Sequence, residues 1–212
     1  MNRRYSLSDH LIDHADNMLR TLFAPSSASR PSPAADIDNR ALEAWEKDEA
    51  RRLMRVNHTG EVCAQALYQG QSLTARSPEL RETFREAAEE ENDHLAWCED
   101  RIEALDGRTS RLNPIFYIGS YAIGAFAGLL GDRASAAFLA ETEYQVVDHL
   151  NRHLYKLPAA DRKSCSVVKQ MSEDELKHAK SAEQVGTLQL SEPAKGAMRL
   201  MSRVMTGTSY WV

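Results

Sequence analysis

Two Glu-x-x-His motifs in matching positions constrain this 212-residue chain more than any other feature. They are Glu91-Asn-Asp-His94 and Glu175-Leu-Lys-His178. On a helix, residues three apart share a face, so each motif presents a carboxylate and an imidazole together. The short motif alone is weak: with 18 Glu and 7 His, random order gives roughly 0.6 such pairs, and ordinary helical ion pairing is an alternative. The wider spacing says more. Glu61 stands 30 residues before Glu91, and Glu143 stands 32 before Glu175. Two antiparallel helices with a short loop bring such positions to one height, since about 13 residues up and down span roughly 20 Å each way. The competing reading places these groups on the surface of a Glu-rich protein, and Glu89-Glu90-Glu91 resembles a solvated face. Ala87, Ala88, Leu95 and Trp97 argue for an apolar side nearby.

The rest of the chain agrees with helices. Gly (10) and Pro (7) are scarce, no long run alternates with period two, and no hairpin turn appears, which opposes an all-β chain. Ala41–Thr74 is predicted helical, with an interruption near Asn57–Gly60. Ser77-Pro78 starts a second helix, which runs to Asp106 with Gly107 as its stop. Pro114 opens an apolar stretch ending at Gly131. Asp132 is expected to cap a helix reaching Leu157, and Asp161 one ending near Gly186. Pro193 starts a short final helix. This predicts an all-α bundle of about five to six helices. Residues 5–23 carry Leu7, Leu11, Ile12, Met18, Leu19, Leu22 and Phe23 at helical spacing. Residues 25–36, PSSASRPSPAAD, read as a flexible linker. The expected organisation is therefore a detachable arm, 1–36, followed by one domain, 37–212.

Composition removes several function classes. Net charge is −5 and the isoelectric point is about 5.8, so a nucleic-acid partner is not expected. Cys63, Cys98 and Cys165 are distant and odd in number, which opposes both a disulfide framework and a cysteine zinc site and fits a reducing compartment. The N-terminus has no apolar core of a secretory signal. Neither GxGxxG nor GxxxxGK[ST] occurs, so electrons are expected from a partner, from the substrate itself, or from a nicotinamide at an unrecognised site.

A Glu from each of two helices plus Glu-x-x-His from the other two matches the ligand set of ferritin-like di-iron proteins. That match predicts a ferritin-like four-helix bundle with an additional apolar helix and a C-terminal amphipathic helix. Four carboxylates balance two ferrous ions in charge, and without metal they would be costly to bury. Carboxylates with imidazoles suit iron or manganese. Two further histidines stand near the motifs. His58 lies three before Glu61, and His149 six after Glu143. Either could hydrogen-bond to a metal ligand, or be purely structural.

These residues resemble the demethoxyubiquinone hydroxylase family, the di-iron monooxygenases of ubiquinone synthesis. The resemblance rests on Arg55-Val-Asn-His-Thr-Gly-Glu61, the Glu91-Asn-Asp-His94 helix, the Gly-rich apolar segment after Asn113-Pro114, Glu143 with Asp148-His149, and Asp174-Glu-Leu-Lys-His178. It covers about residues 40–205; the arm 1–36 and Thr206–Val212 fall outside it. It implies two iron ions, with Glu61 and Glu143 as terminal carboxylates, Glu91 and Glu175 as bridging carboxylates, and His94 and His178 as imidazole ligands. The implied reaction uses O2 to hydroxylate a polyprenylated benzoquinol. The implied setting is a membrane surface, the cytoplasmic face of the inner membrane if the source is bacterial. Other ubiquinone-biosynthesis proteins and further copies of the chain are expected partners.

Ile115–Gly131 has no charge in 17 residues. As a helix it is about 25 Å long against a hydrocarbon core of roughly 30 Å. A buried core helix, a helix lying at a membrane surface and a span are all open, and Gly124-x-x-x-Gly128 permits close packing in each. Lys195, Arg199 and Arg203 recur every four residues, with Met198, Met201 and Met205 on another face and Tyr210-Trp211 beyond. This pattern fits an interfacial anchor or a core-packing helix. Two other functions share parts of the pattern: a soluble ferritin-like di-iron oxidase or peroxide reductase, and a non-enzymatic membrane-binding helical adaptor.

Overall fold

The computed structural model of the chain describes residues 7–38, 40–185 and 188–212. Gly186, the expected end of one helix, and the side chains of Leu7 and Leu11 lie outside the described residues. Among the described residues there are seven helices and no strand: α1 (Leu7–Phe23), α2 (Ala44–Thr74), α3 (Pro78–Ala104), α4 (Asn113–Leu129), α5 (Asp132–Lys156), α6 (Arg162–Val185) and α7 (Glu192–Ser209).

Local chemistry explains most helix ends. The Ser77 hydroxyl accepts from Leu80 N–H, and Pro78 follows at the first helical position. Asp161 accepts from Ser164 N–H at 3.1 Å, one turn into α6. At the end of α3, Asp106 and not Gly107 takes the left-handed conformation (φ 53). Gly107 N–H then reaches back to Ile102 O at 2.8 Å, closing a Schellman turn. Asp132 also acts differently from expectation. It is the first residue of α5, and its carboxylate accepts from Arg76 and Ser77 N–H at 2.8 Å each, tying α5 to the α2–α3 turn.

The expected break at Asn57–Gly60 does not occur; α2 is continuous. A mid-helix Gly costs about 1 kcal/mol, but the polar residues beside it find partners on other helices. Asn57 Oδ1 lies 2.7 Å from His153 Nδ1, and the Thr59 hydroxyl donates to Asn113 Oδ1 at 3.0 Å. Tertiary hydrogen bonds thus remove the reason to leave the helix.

The hairpins α2–α3 and α5–α6 pack together, with α4 laid along α2. Their core forms two apolar layers. One contains Leu53, Met54, Trp97, Cys98, Leu150 and Met171. The other contains Tyr68, Leu80, Phe84, Leu139, Ala140 and Ala182. On every one of the four helices the predicted ligand positions fall in sequence between these layers.

The apolar segment is neither buried core nor span. Tyr117, Gly124, Ala127 and Gly128 are buried, while Ile115, Ile118, Phe126, Leu129 and Leu130 are 63–67% exposed. Among the described residues no helix is long and apolar enough to cross a membrane. Helix α7 lies on α2 and α5. It turns Lys195 onto Glu141 at 3.1 Å and buries Met198, while Leu200, Met201 and Val204 stay exposed. The Tyr210 hydroxyl donates to Glu49, and Arg52 covers the Trp211 ring at 4.6 Å.

Residues 25–36 are not the free linker that composition predicts; they form a strap across α3 and α6. Ser26 N–H donates to Glu99 at 3.0 Å, Ser29 N–H to Asp93 at 2.5 Å, and Ser166 Oγ to Pro33 O at 2.9 Å. Ala34 joins the core. In α1, Met18 and Leu22 pack against Val62, Ala66, Leu95 and Tyr117. Serine backbone amides have found carboxylates that only the folded bundle places in reach.

Candidate metal centre

Glu61 comes from α2, Glu91 and His94 from α3, Glu143 from α5, and Glu175 and His178 from α6. All six are buried, none more than 8% exposed. The surface reading of these residues is therefore overturned. Within the acidic run, Glu89 is exposed and Glu90 half-buried, yet Glu91 is fully buried.

The donors form two groups. Ligand atoms of Glu61, Glu91, His94 and Glu175 lie within 4.8 Å of one another, as do those of Glu143, Glu175 and His178. Glu175 belongs to both. Both imidazoles aim Nδ1 at the cluster. His94 Nδ1 is 2.9 Å from Glu91 and 3.2 Å from Glu175, and 3.7 Å from Glu61. His178 Nδ1 is 3.2 Å from Glu175 and 3.4 Å from Glu91. Each Nε2 faces a carboxylate one residue before the other motif's Glu: Asp174 at 3.3 Å for His94 and Glu90 at 3.4 Å for His178.

The electrostatics describe a site in need of cations. Burial and the neighbouring Glu91 push Glu61 well above the usual carboxylate range. Burial, Glu175 and Glu91 do the same to Glu143. Burial also opposes ionisation of Glu91, but His94 and His178 hold it well below that range. Burial disfavours the imidazolium of His94, yet Glu91, Asp174 and Glu175 raise its pKa well above the ordinary value. The donor set, four carboxylates and two imidazoles with no thiolate, fits iron or manganese, and binding would release protons.

Sequence reasoning missed Tyr68, which is two turns after Glu61 on the same helix face. Its hydroxyl donates to Glu143 and lies 3.3 Å from Glu91 Oε1. Tyr68 also floors a cleft of about 950 Å³ between α1 and the α2–α3 hairpin, with Phe84, Leu95 and Ala88 beside it and Arg20, Arg81 and Arg85 at the rim. Asp174 and Glu90 were legible in principle, since an acidic residue precedes the Glu in both motifs.

The two other histidines face elsewhere. His58 places Nε2 3.2 Å from Glu99 and Nδ1 3.4 Å from the Asn113 amide nitrogen. His149 lies against His153, ring centroids 4.0 Å apart. Burial and the cations Arg152 and Lys156 press His149 down to about 4; burial and His149 press His153 down to about 2. A histidine held below its ordinary value takes up its proton first in the unfolded chain. Its contribution is therefore complete above about pH 6.5 and disappears as pH falls toward the folded value. For His149 alone this amounts to about 3 kcal/mol. Chemical denaturation of the metal-free protein is expected to show the wild type losing stability relative to His149→Gln as pH falls from 7 to 4. An equal slope in that variant would show that His149 does not set that loss.

The fold and site define a ferritin-like helical bundle with a buried carboxylate–imidazole centre. The sequence pattern of the family described as "Ubiquinone biosynthesis protein COQ7" matches residues 48–209, and the chain belongs to that family. Curated relatives extend the similarity. A Nitrosospira multiformis protein named 3-demethoxyubiquinol 3-hydroxylase is 54% identical over 204 residues, 96% of this chain and 98% of its own length. Proteins of the same name from Laribacter hongkongensis and Chromohalobacter salexigens are 54% and 51% identical over 96% and 99% of this chain. With such coverage, most of residues 1–36 have counterparts in these relatives, although the family pattern itself begins at residue 48.

Proposed function

We propose that this chain is a 3-demethoxyubiquinol 3-hydroxylase that holds two iron ions and works at a membrane surface. The observation that carries the reading is the pair of buried donor groups sharing Glu175, in a chain about half identical to enzymes of that name. Glu61, Glu91, His94, Glu143, Glu175 and His178 would hold the two ions. Reduced iron held there would supply two electrons and O2 activation for a hydroxylation in which one oxygen atom enters the quinol ring and the other leaves as water. The apolar layers exclude bulk water. Tyr68 holds Glu143 in place and offers a proton donor where the cleft meets the carboxylates. The cleft volume suits a substituted benzoquinol ring, within the range of small-molecule sites of about 300–1,000 Å³. Turnover of a demethoxyubiquinol under ¹⁸O2 is expected to give a product carrying one labelled oxygen. Label from water instead, or no turnover by iron-loaded protein, would overturn the reading.

The exposed face of α4 supports the membrane setting. Its side chains form one stripe at helical spacing, and α1 beside it exposes Ile12, Leu19 and Phe23. Three free cysteines suit the reducing cytoplasmic side. Ile118 and Phe126 are each worth about 1.5 kcal/mol on transfer from water. Ile118→Ser with Phe126→Ser is expected to lower partitioning to anionic liposomes about 100-fold, with fold and iron content intact. Unchanged partitioning would move the reading to a soluble oxidase.

A further inference from the structure

The strap reaches the metal centre through one side chain. Arg30 sits between the two helices that carry the Glu-x-x-His motifs. Its Nε donates to Asp93 of α3 at 2.5 Å, and its Nη1 donates to Asp174 of α6 at 2.9 Å. Glu90 lies 4.0 Å from the same Nη1. The guanidinium also stacks over Trp97 at 4.9 Å, and Trp97 in turn leans on the His94 ring at 5.5 Å. Asp174 is fully buried, and four side chains of the described residues reach its carboxylate. Arg30 and His94 Nε2 share Oδ2, while Gln170 and Lys177 share Oδ1.

We propose that Arg30 is a positioning residue for the metal centre: it fixes Asp174 as the acceptor for His94 Nε2–H, so that the imidazole presents Nδ1 to the carboxylate cluster. An imidazole is a usable ligand only in the tautomer and orientation set by the bond its other nitrogen makes. Without Arg30 the aspartate keeps Lys177 and Gln170 on Oδ1, but Oδ2, the atom that faces His94, loses its second donor and is free to turn away. Arg30 holds the partner of His178 more loosely, because Glu90 is half-exposed and stands 4.0 Å from Nη1 against 2.9 Å for Asp174. The N-terminal segment therefore completes the His94 side of a site whose ligands all come from the bundle.

This inference rests on the ligand assignment proposed above, and one experiment separates the two. The full-length, metal-free chain is titrated with Co(II), read by its d–d absorption. Arg30→Gln and Asp174→Asn are each expected to weaken binding about tenfold and to change the absorption bands in the same way. The double variant is expected to be no weaker than the weaker single, because both changes break one chain of contacts. Ser166→Ala removes another bond between the strap and α6 without touching Asp174, and its affinity and spectrum are expected to match the wild type. Wild-type affinity and spectrum in Arg30→Gln would overturn the proposal. So would losses that multiply in the double variant, or a loss in Ser166→Ala equal to that in Arg30→Gln. If Arg30→Gln does not fold, Asp174→Asn decides: an unchanged spectrum overturns the proposal, and the tenfold loss with shifted bands supports it. A wild-type chain that binds no Co(II) would overturn the ligand assignment, and this inference with it.

Discussion

Glu175→Ala is expected to bind iron at least about 100-fold more weakly than the unsubstituted protein and to lose turnover. Glu175 is the carboxylate that both donor groups share. Its loss removes the carboxylate nearest His178 Nδ1, at 3.2 Å, and takes from the His94 side the oxygen 3.2 Å from Nδ1. Loss of Glu61 or Glu143 would deplete one group only. Glu173→Ala is the matching control, because Glu173 is on the same helix but its side chain is 56% exposed. Metal content after anaerobic loading, with calorimetric affinity, reads the effect. The metal-free Glu175→Ala protein is expected to stay folded, since removing one of several crowded buried carboxylates relieves repulsion. Full iron occupancy in a folded variant would rule the assignment out.

The second large effect is structural. Helix α4 approaches α2 closely because glycines line the contact. A Cβ on Gly124 would stand 2.3 Å from Leu67 O, and one on Gly70 would stand 2.2 Å from Tyr121 O. Both obstacles are backbone, so the helices must separate. Gly124→Ala is expected to cost about 3 kcal/mol, the upper end for overpacking, which lowers the thermal midpoint by about 6–12 °C in a chain of this size. Gly119→Ala is the control on the same helix, where nothing lies within 4 Å of the added carbon. Equal midpoints for the two variants would show that α4 does not pack in this way. Separation would also move the exposed α4 stripe away from the cleft side of α2, so liposome binding is a second readout.

The four helices and the six Glu and His positions that they bring together were legible in the sequence for one reason. A helix converts spacing into direction, and a hairpin converts a 30-residue interval into a shared height. Glu61, Glu91, His94, Glu143, Glu175 and His178 needed no knowledge of distant contacts. The local caps at Ser77 and Asp161 were legible on the same grounds, because each bonds within its own first turn.

Where a residue's partner was remote in sequence, the local reading failed. Asn57 and Gly60 look like a helix break until His153 and Asn113 supply bonds from 96 and 54 residues away. The Pro- and Ser-rich strap looks free until Asp93, Glu99 and Asp174 appear beneath it. Asp132 looks like a cap for its own helix but serves the amides of Arg76 and Ser77. The apolar segment could not choose among three settings, because hydropathy measures a helix and not the faces it turns inward. Packing against Gly70 and Leu67 decided which side of α4 is buried and left Ile118 and Phe126 outside. Periodicity along the chain is local physics and survives in the sequence alone. Hydrogen bonds and close approaches between elements far apart in sequence exist only once the bundle has closed.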